Sequence, residues 1–467
     1  MKIKGDEIKA LGFKGKSIGL ALETLNAFDL DKEVEKVLAE LKSVITNPVA
    51  YKEHLVFAAL AEELLKPEEK EIPIREKPLP YRIYGADGIE LGALKQMEVA
   101  MKLPVAKSGA LMPDAHQGYG LPIGGVLATE NAVIPYAVGV DIGCRMCMSI
   151  FELPTSLLEE RKDNLRKILI ENTRFGRATF DDPKDHEVLE NPLFKELNVV
   201  RKLKDRAASQ IGSSGGGNHF VEFGIAEITE VDNDWGLEPG QYLSLLSHSG
   251  SRGMGASIAA HYTKLAMEKC PLPREAKNLA WLDLSTEAGQ EYWLAMNLAG
   301  DYASACHHQI HDRIAEALGT LPAAMVENHH NFAWKELDEK GKEVIVHRKG
   351  ATPAGKGVLG VIPGSMSAPG FIVRGKGEVA SVNSASHGAG RAMSRTVAKK
   401  TLQENAVARH LSDLGVEVIG SGLDEAPMAY KDIHQVMDCQ QELVEVLGKF
   451  YPKIVRMCGD EQFKEVD

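Results

Sequence analysis

Eight short glycine-bounded motifs, strung between residues 113 and 391, restrict this chain more than any other feature. They are Pro113-Asp114-Ala115-His116-Gln117-Gly118, Asp141-Ile142-Gly143-Cys144, Gly215-Gly216-Gly217-Asn218-His219-Phe220, His248-Ser249-Gly250-Ser251-Arg252-Gly253, Asn328-His329-His330-Asn331, His347-Arg348-Lys349-Gly350, Pro363-Gly364-Ser365-Met366 and His387-Gly388-Ala389-Gly390-Arg391. Glycine supplies 44 of the 467 residues, and the excess is concentrated in these segments. Turns of this kind present functional groups from a rigid scaffold. Most of them follow short Val/Ile-rich segments that read as strands, so the fold must gather distant strand ends at one place.

The rest of the chain frames that core. Residues 1–79 read as a helical extension ending in a linker rich in Pro, Lys and Glu (66–80). The Gly12–Ser17 stretch lacks the spacing of a phosphate loop and reads as a turn between helices. Residues 80–467 form the main domain. Short strands are expected as far as 253 and again over 344–382, with helices over 254–269, 285–318, 391–414 and 433–450. Strand and helix do not alternate regularly, which favours an α+β fold over a doubly wound sheet.

Composition removes several classes. Lys plus Arg is 54 and Asp plus Glu is 66, a net charge of −12, which excludes a globally basic nucleic-acid coat. A local basic groove stays compatible with that total. No apolar run approaches the roughly 18 residues of a membrane span. The first 30 residues lack a signal-peptide core. Six cysteines are too few for a disulfide scaffold, so a reduced, cytoplasmic setting is expected.

Asp141 and Cys144, three apart after an apolar strand, can both reach one metal; a buried cysteine beside a turn-forming aspartate is the alternative. Cys144 and Cys147 also form a CxxC, but with no second pair a zinc ribbon is not expected. Three consecutive glycines before Asn218 and His219 let backbone N–H groups approach an anion. His219, His248, His330, His347 and His387 lie in such turns or beside Ser, Asn or Arg; one Cys, one Asp and several His suit Zn, Mn, Fe or Co. His307, His308 and His311 fall inside a helical stretch near Cys306 and read as structural or surface residues.

Together, in this order, the eight motifs resemble the RtcB family of RNA ligases, over roughly residues 80–459. The resemblance implies the family's α+β fold with its site in a central cleft. It also implies joining of RNA 3′-phosphate or 2′,3′-cyclic phosphate ends to 5′-hydroxyl ends, with GTP and two Mn²⁺ ions, in tRNA splicing or RNA repair. By motif, Cys144 would bridge both ions, with His248 and His330 on one and Asp141 and His219 on the other. His387 would be the nucleophile that takes GMP. Asn218 and Arg252 would hold phosphates, and Arg391 would join Arg252 in the field for RNA and phosphate at the nucleotide site. Phe220, Glu222, Ser365 and Tyr430 would surround the nucleotide, with Asn331 and Gly388 alongside. Arg348 and Lys349 would add to the field that attracts RNA. A helper protein is a further implied partner.

This chain departs from the family pattern in places. Arg145 follows Cys144 where glycine is usual, and Cys458 stands where a guanine-contacting lysine is usual, with Lys453 or Arg456 as replacements. Two other readings compete: a metal-dependent phosphoesterase acting on RNA ends, for which His387 is dispensable, and a catalytically silent RNA-end binder, which needs neither nucleophile nor ligand set.

Overall fold

The computed structural model describes residues 3–66 and 71–459 and divides the chain into two compact units, Met1–Glu71 and Ile72–Asp467. Residues 67–70 of the expected linker and the tail 460–467 lie outside the described residues.

The first unit is helical. Gly5–Ala10, Lys16–Leu25, Leu30–Thr46 and Ala58–Leu65 bury Ile8, Phe13, Leu41, Phe57 and Leu60. The turn expected over Gly12–Ser17 joins the first two helices and ends at Gly15, with Lys16 and Ser17 opening the second helix; Gly12 has φ 107° and Gly15 φ 53°, conformations that cost glycine little.

The second unit opens with 72–80, and here the linker reading fails. Ile72 N–H donates to Pro271 O (2.7 Å), Arg75 N–H to Lys102 O (2.8 Å) and Leu79 N–H to Met101 O (3.1 Å). Ile72, Ile74 and Leu79 pack on the main core, so the apolar residues between the charges anchor the segment.

Two sheets organise this unit. The larger runs Leu359–Ile362, Gly370–Gly375, Val444–Met457, Phe220–Ile228, Gly240–Ser249, Arg145–Phe151, Ala324–His329, with Glu417–Ile419 paired to Val444–Met457. The Asn328 side chain brings the first and last of these strands together: its amide accepts from Val361 N–H (2.8 Å) and donates to Val361 O (3.2 Å), giving a near-closed barrel. The smaller sheet runs Arg82–Ile83, Ala106–His116, Ile123–Thr129, Glu343–Lys349, Asn331–Leu337. His330 is the single residue between Ala324–His329 of one sheet and Asn331–Leu337 of the other. The helix Glu287–Leu318 packs beneath the large sheet. It is capped by Thr286 Oγ1, which accepts from Gly289 N–H (3.2 Å), and ended by Gly319 at φ 74°. Its Ile310 and Ile314 are fully buried against Phe223 and Leu245, each contributing roughly 1.5–3 kcal/mol of burial. The mixture is α+β, as the pattern implied.

Several expected elements differ. The 433–450 helix is only Ile433–Asp438; the residues that follow form the 14-residue strand Val444–Met457. Val444, Val446, Tyr451, Ile454 and Val455 favour a pleated, half-buried surface, and central sheet pairing overrides the helical reading. The 391–414 helix is two short ones, Arg395–Thr401 and Glu404–Asp413. His387 therefore does not open a helix but follows the strand Ser384–Ser386. Helices Lys162–Asn172 and Lys204–Gln210 interrupt the stretch expected to be strands.

Candidate active site

Strand ends and turns converge on one buried cluster. Cys144 precedes Arg145–Phe151; His219 and Asn218 precede Phe220–Ile228; His248 closes Gly240–Ser249; His330 occupies the junction between sheets. Because these strands are neighbours in one sheet, residues far apart in sequence end at the same edge. Cys144 Sγ lies 3.1 Å from His248 Nε2 and 3.4 Å from His219 Nε2. His248 Nε2 lies 3.2 Å from His330 Nε2, and His219 Nε2 3.1 Å from Asp141 Oδ2. The carboxylate is fixed from behind: Asp141 Oδ1 accepts from Ser251 N–H (3.0 Å) and Ser251 Oγ (3.3 Å). His248 Nδ1 contacts Asn218 O at 3.1 Å, which turns its Nε2 to the cluster. His330 N–H donates to Cys144 O (3.0 Å), tying the two ligand-bearing turns together.

Two glycines make this crowding feasible. A Cβ on Gly215 would overlap the His219 ring, and one on Gly250 would overlap the Asp141 carboxylate. Burial pushes His248 down to about 3 and His330 well below its ordinary range, so both imidazoles are neutral with a lone pair available. His330 Nδ1 is buried without a hydrogen-bond partner. A thiol, three imidazoles and a carboxylate aimed at one another fit a borderline divalent cation.

His387 stands beside this cluster, its ring centroid 5.0 Å from that of His330. Asp114 Oδ2 accepts from both its Nδ1 (2.6 Å) and its backbone N–H (3.1 Å). Asp114 is fully buried. A proton held on Nδ1 leaves Nε2 as the free lone pair, the arrangement a nucleophilic histidine needs. The strand that carries Asp114 is itself clamped: Lys431 Nζ donates to Pro113 O (3.1 Å) and Ala115 O (2.8 Å). Neither the role of Asp114 nor Lys431 was legible in sequence. Asp114 lay in a recognised motif, but its partner is 273 residues away.

The other candidates fall into three groups. Near the cluster, Asn331 Oδ1 accepts from Gly350 N–H (2.8 Å) and its Nδ2 donates to Asp141 O (3.4 Å). Arg252, at the left-handed φ of 57°, donates from Nε to Ser213 Oγ (3.1 Å) and from Nη2 to Gly176 O. Phe220 lies beside His248, the rings tilted with centroids 5.7 Å apart. Glu222 lies on the same face two residues on; burial raises its carboxyl well above the usual range. Gly388 packs against Pro363 O, next to Ser365, whose Oγ accepts from Ala368 N–H (3.3 Å).

A second group forms a buried ionic knot. Tyr430 donates to Glu425, the Arg391 guanidinium lies 5.4 Å from the Tyr430 ring centroid, and Arg391 also pairs with Glu425 (3.5 Å). Arg391 also donates to Met393 O from Nε (3.1 Å) and to Asp424 O from Nη2 (2.6 Å).

The third group lies away from the site. His347 is fully buried in the small sheet, accepting from Ile134 N–H at Nε2 (2.9 Å) with Nδ1 near Leu127 O (3.1 Å). Arg348 is 1% exposed and doubly bonded to Glu336, so it adds nothing to a surface field. Arg145 is buried against Glu327 (3.3 Å) and Gly300 O (2.9 Å), behind the cleft. Arg456 donates to Leu169 O (2.5 Å) and pairs across the strands with Val221, on the face opposite Phe220 and Glu222. Cys458 packs on that same opposite face.

Residues 96–457 match the family model described as tRNA-splicing ligase RtcB. The RNA-splicing ligase RtcB of Escherichia coli K12 is 35% identical over 415 aligned residues, covering 82% of this chain and 97% of that protein. The tRNA-splicing ligases RtcB of Thermococcus kodakarensis and Nanoarchaeum equitans are 30% and 28% identical, covering 80% and 82% of this chain and 93% and 97% of theirs. Such coverage defines a ligase enzyme. The chain belongs to the RtcB family of RNA ligases. The helical unit Met1–Glu71 lies ahead of the residues the family model matches.

Proposed function

We propose that this chain joins RNA 3′-phosphate or 2′,3′-cyclic phosphate ends to 5′-hydroxyl ends, with GTP as the activating substrate and Mn²⁺ as the cation, in tRNA splicing or RNA repair. The observation that carries this reading is the Asp114–His387 pair set against the cluster of Cys144, Asp141, His219, His248 and His330. Bound there, the cation would neutralise phosphate charge and align in-line attack. His387 Nε2 attacks the α-phosphorus of GTP and pyrophosphate leaves. Asp114 keeps the proton on Nδ1 and offsets the positive charge that develops on the ring. The guanylyl group then passes to the RNA 3′-phosphate oxygen, freeing His387. The 5′-hydroxyl attacks that activated phosphate, and GMP leaves. A cyclic phosphate end must first be opened by water. The Gly215–Gly217 run supplies backbone donors for phosphate oxygens, and Phe220 and Glu222 line the neighbouring face for the base. Burial favours the protonated form of Glu222, which offers a donor as well as an acceptor.

Covalent capture tests this. Purified protein with Mn²⁺ is incubated with α-labelled GTP or ATP, beside His387→Ala. The expected result is an acid-labile label from GTP that the variant lacks. Label from ATP alone would show that Cys458 accompanies a changed base preference. RNA-end hydrolysis that survives His387→Ala, with no label from either nucleotide, would replace this reading with the phosphoesterase one.

A further inference from the structure

Three segments that each reach the candidate active site also carry a side chain that the chemistry proposed above does not use. Tyr119 lies five residues beyond Asp114, in the turn after the strand Ala106–His116. Tyr136 belongs to the short helix Pro135–Val138, five residues ahead of Asp141. Lys349 ends the strand Glu343–Lys349 and precedes Gly350, where a Cβ would come within 3.2 Å of His387 Cε1. The fold brings the three together. The two tyrosine rings are 23° from parallel with centroids 6.1 Å apart. Lys349 Nζ lies 5.1 Å from the Tyr136 centroid and donates to Tyr119 O (2.5 Å).

The backbone holds Tyr119 in solvent. Its side chain is 51% exposed, yet its turn is fixed on both sides. The Gln96 amide accepts from Gly118 N–H (3.0 Å) and donates to Gly118 O. Gly120, at φ 71°, runs so close to Asn278 that a Cβ there would meet the Asn278 carbonyl oxygen at 2.8 Å. A large ring presented by a fixed backbone gives up little conformational freedom when a partner stacks on it. Tyr136 is half-buried and Lys349 only 8% exposed, so the pair has a positive charge set behind it. Every nucleobase has a π-face that suits such a ring, and the charge suits the phosphates on either side of the base.

Resting on the ligase reading above for the substrate, we propose that Tyr119 and Tyr136, backed by Lys349, form a stacking platform for an unpaired base at the RNA end being sealed. Proteins commonly read single-stranded RNA by stacking its splayed bases on aromatic rings. A base on Tyr119 holds its strand beside His387 with little sequence preference, because stacking engages the ring face rather than a hydrogen-bonding edge. The 3′-phosphate end and the 5′-hydroxyl end offer this same chemistry, and they can be told apart by labelling each.

Two single-stranded RNA oligonucleotides serve as probes, one with 2-aminopurine as the base next to a 3′-phosphate and one with it next to a 5′-hydroxyl. The full-length protein is titrated into each with Mn²⁺ and without GTP. The expected result is quenched 2-aminopurine emission at one or both ends, lost in Tyr119→Ala and kept in Tyr119→Phe. Affinity for the quenched oligonucleotide should fall roughly 5–150-fold in Tyr119→Ala, the worth of one base stack. An abasic residue at that end should cost the wild type as much and the variant nothing further. Tyr136→Leu, with circular dichroism matched to the parent, should weaken the same quenching. Quenching at neither end overturns the platform, as do quenching and affinity undiminished in folded Tyr119→Ala. These are binding measurements, so they stay distinct from a wild-type protein that takes no label from GTP, which refutes the ligase reading instead.

Discussion

Asp114→Asn is the most informative single change. One carboxylate oxygen of Asp114 accepts both the ring and the backbone N–H of His387, at 2.6 and 3.1 Å. The residue is fully buried, so solvent cannot substitute. If the new amide places its oxygen there, both bonds persist without their charge. A charge-assisted bond contributes ~1.5–3 kcal/mol against ~0.5–1.5 for a neutral one, so two bonds lose about 2 kcal/mol. That corresponds to roughly 30-fold in rate. If the amide nitrogen faces Nδ1 instead, the ring must carry its proton on Nε2 and the attacking lone pair is gone; inverted tautomers of this kind cost up to about 10⁴-fold. The expected slowing of guanylylation is therefore between those limits, measured by acid-quenched single-turnover labelling with α-labelled GTP at matched circular dichroism. A folded Asp114→Asn protein that labels at the wild-type rate would refute the dyad. Failure of the wild-type protein to label would instead refute the nucleotidyl-transfer reading.

Other outcomes follow from the same geometry. Gly250→Ala drives a methyl into the Asp141 carboxylate and should weaken Mn²⁺ binding by roughly 10–100-fold, read by metal titration. Lys431→Met removes the clamp on Pro113 O and Ala115 O; it should lower the guanylylation rate and cost about 1–3 kcal/mol in denaturant unfolding. Arg348→Met leaves Glu336 without its buried partner and should cost about 3–5 kcal/mol of stability while leaving RNA affinity unchanged in a filter-binding assay. Glu222 has a folded-state carboxyl raised by burial, so its contribution to stability is complete at low pH and lost as pH rises through that raised value. Glu222→Gln should therefore lose less stability than wild type between acid and alkaline pH in thermal melts.

The glycine motifs made most of the cluster legible, because a functional group on a strand end needs a turn beside it, and glycine marks turns. What they could not separate was His330 from His347. Both sit among polar residues, and both read as candidate functional groups. Register decides between them: His347 is inside a strand with backbone groups on both ring nitrogens, whereas His330 is at a break between strands. The same limit hid the fate of the arginines. Arg348 and Arg456 looked available to RNA or nucleotide, but Arg348 pairs with Glu336 across a hairpin and Arg456 donates to Leu169 O, 287 positions earlier. Val444–Met457 was misread for a related reason, since its place in the middle of a sheet is set by partners more than 200 positions earlier. His307 and His311 read correctly as helical, but their helix gave no sign that it faces Cys147.

The one-residue passage from the large sheet to the small one at His330 has a consequence for how the protein loses structure. Its backbone is bonded to Cys144 on one side and to Ala351 on the other, so there is no slack in which the two sheets can separate while the ligand set survives. Opening either sheet would dismantle the proposed catalytic centre. Amide exchange at His330 should thus report the weakest cooperative unit that touches the site, and a partly unfolded chain would be inert rather than sloppily active.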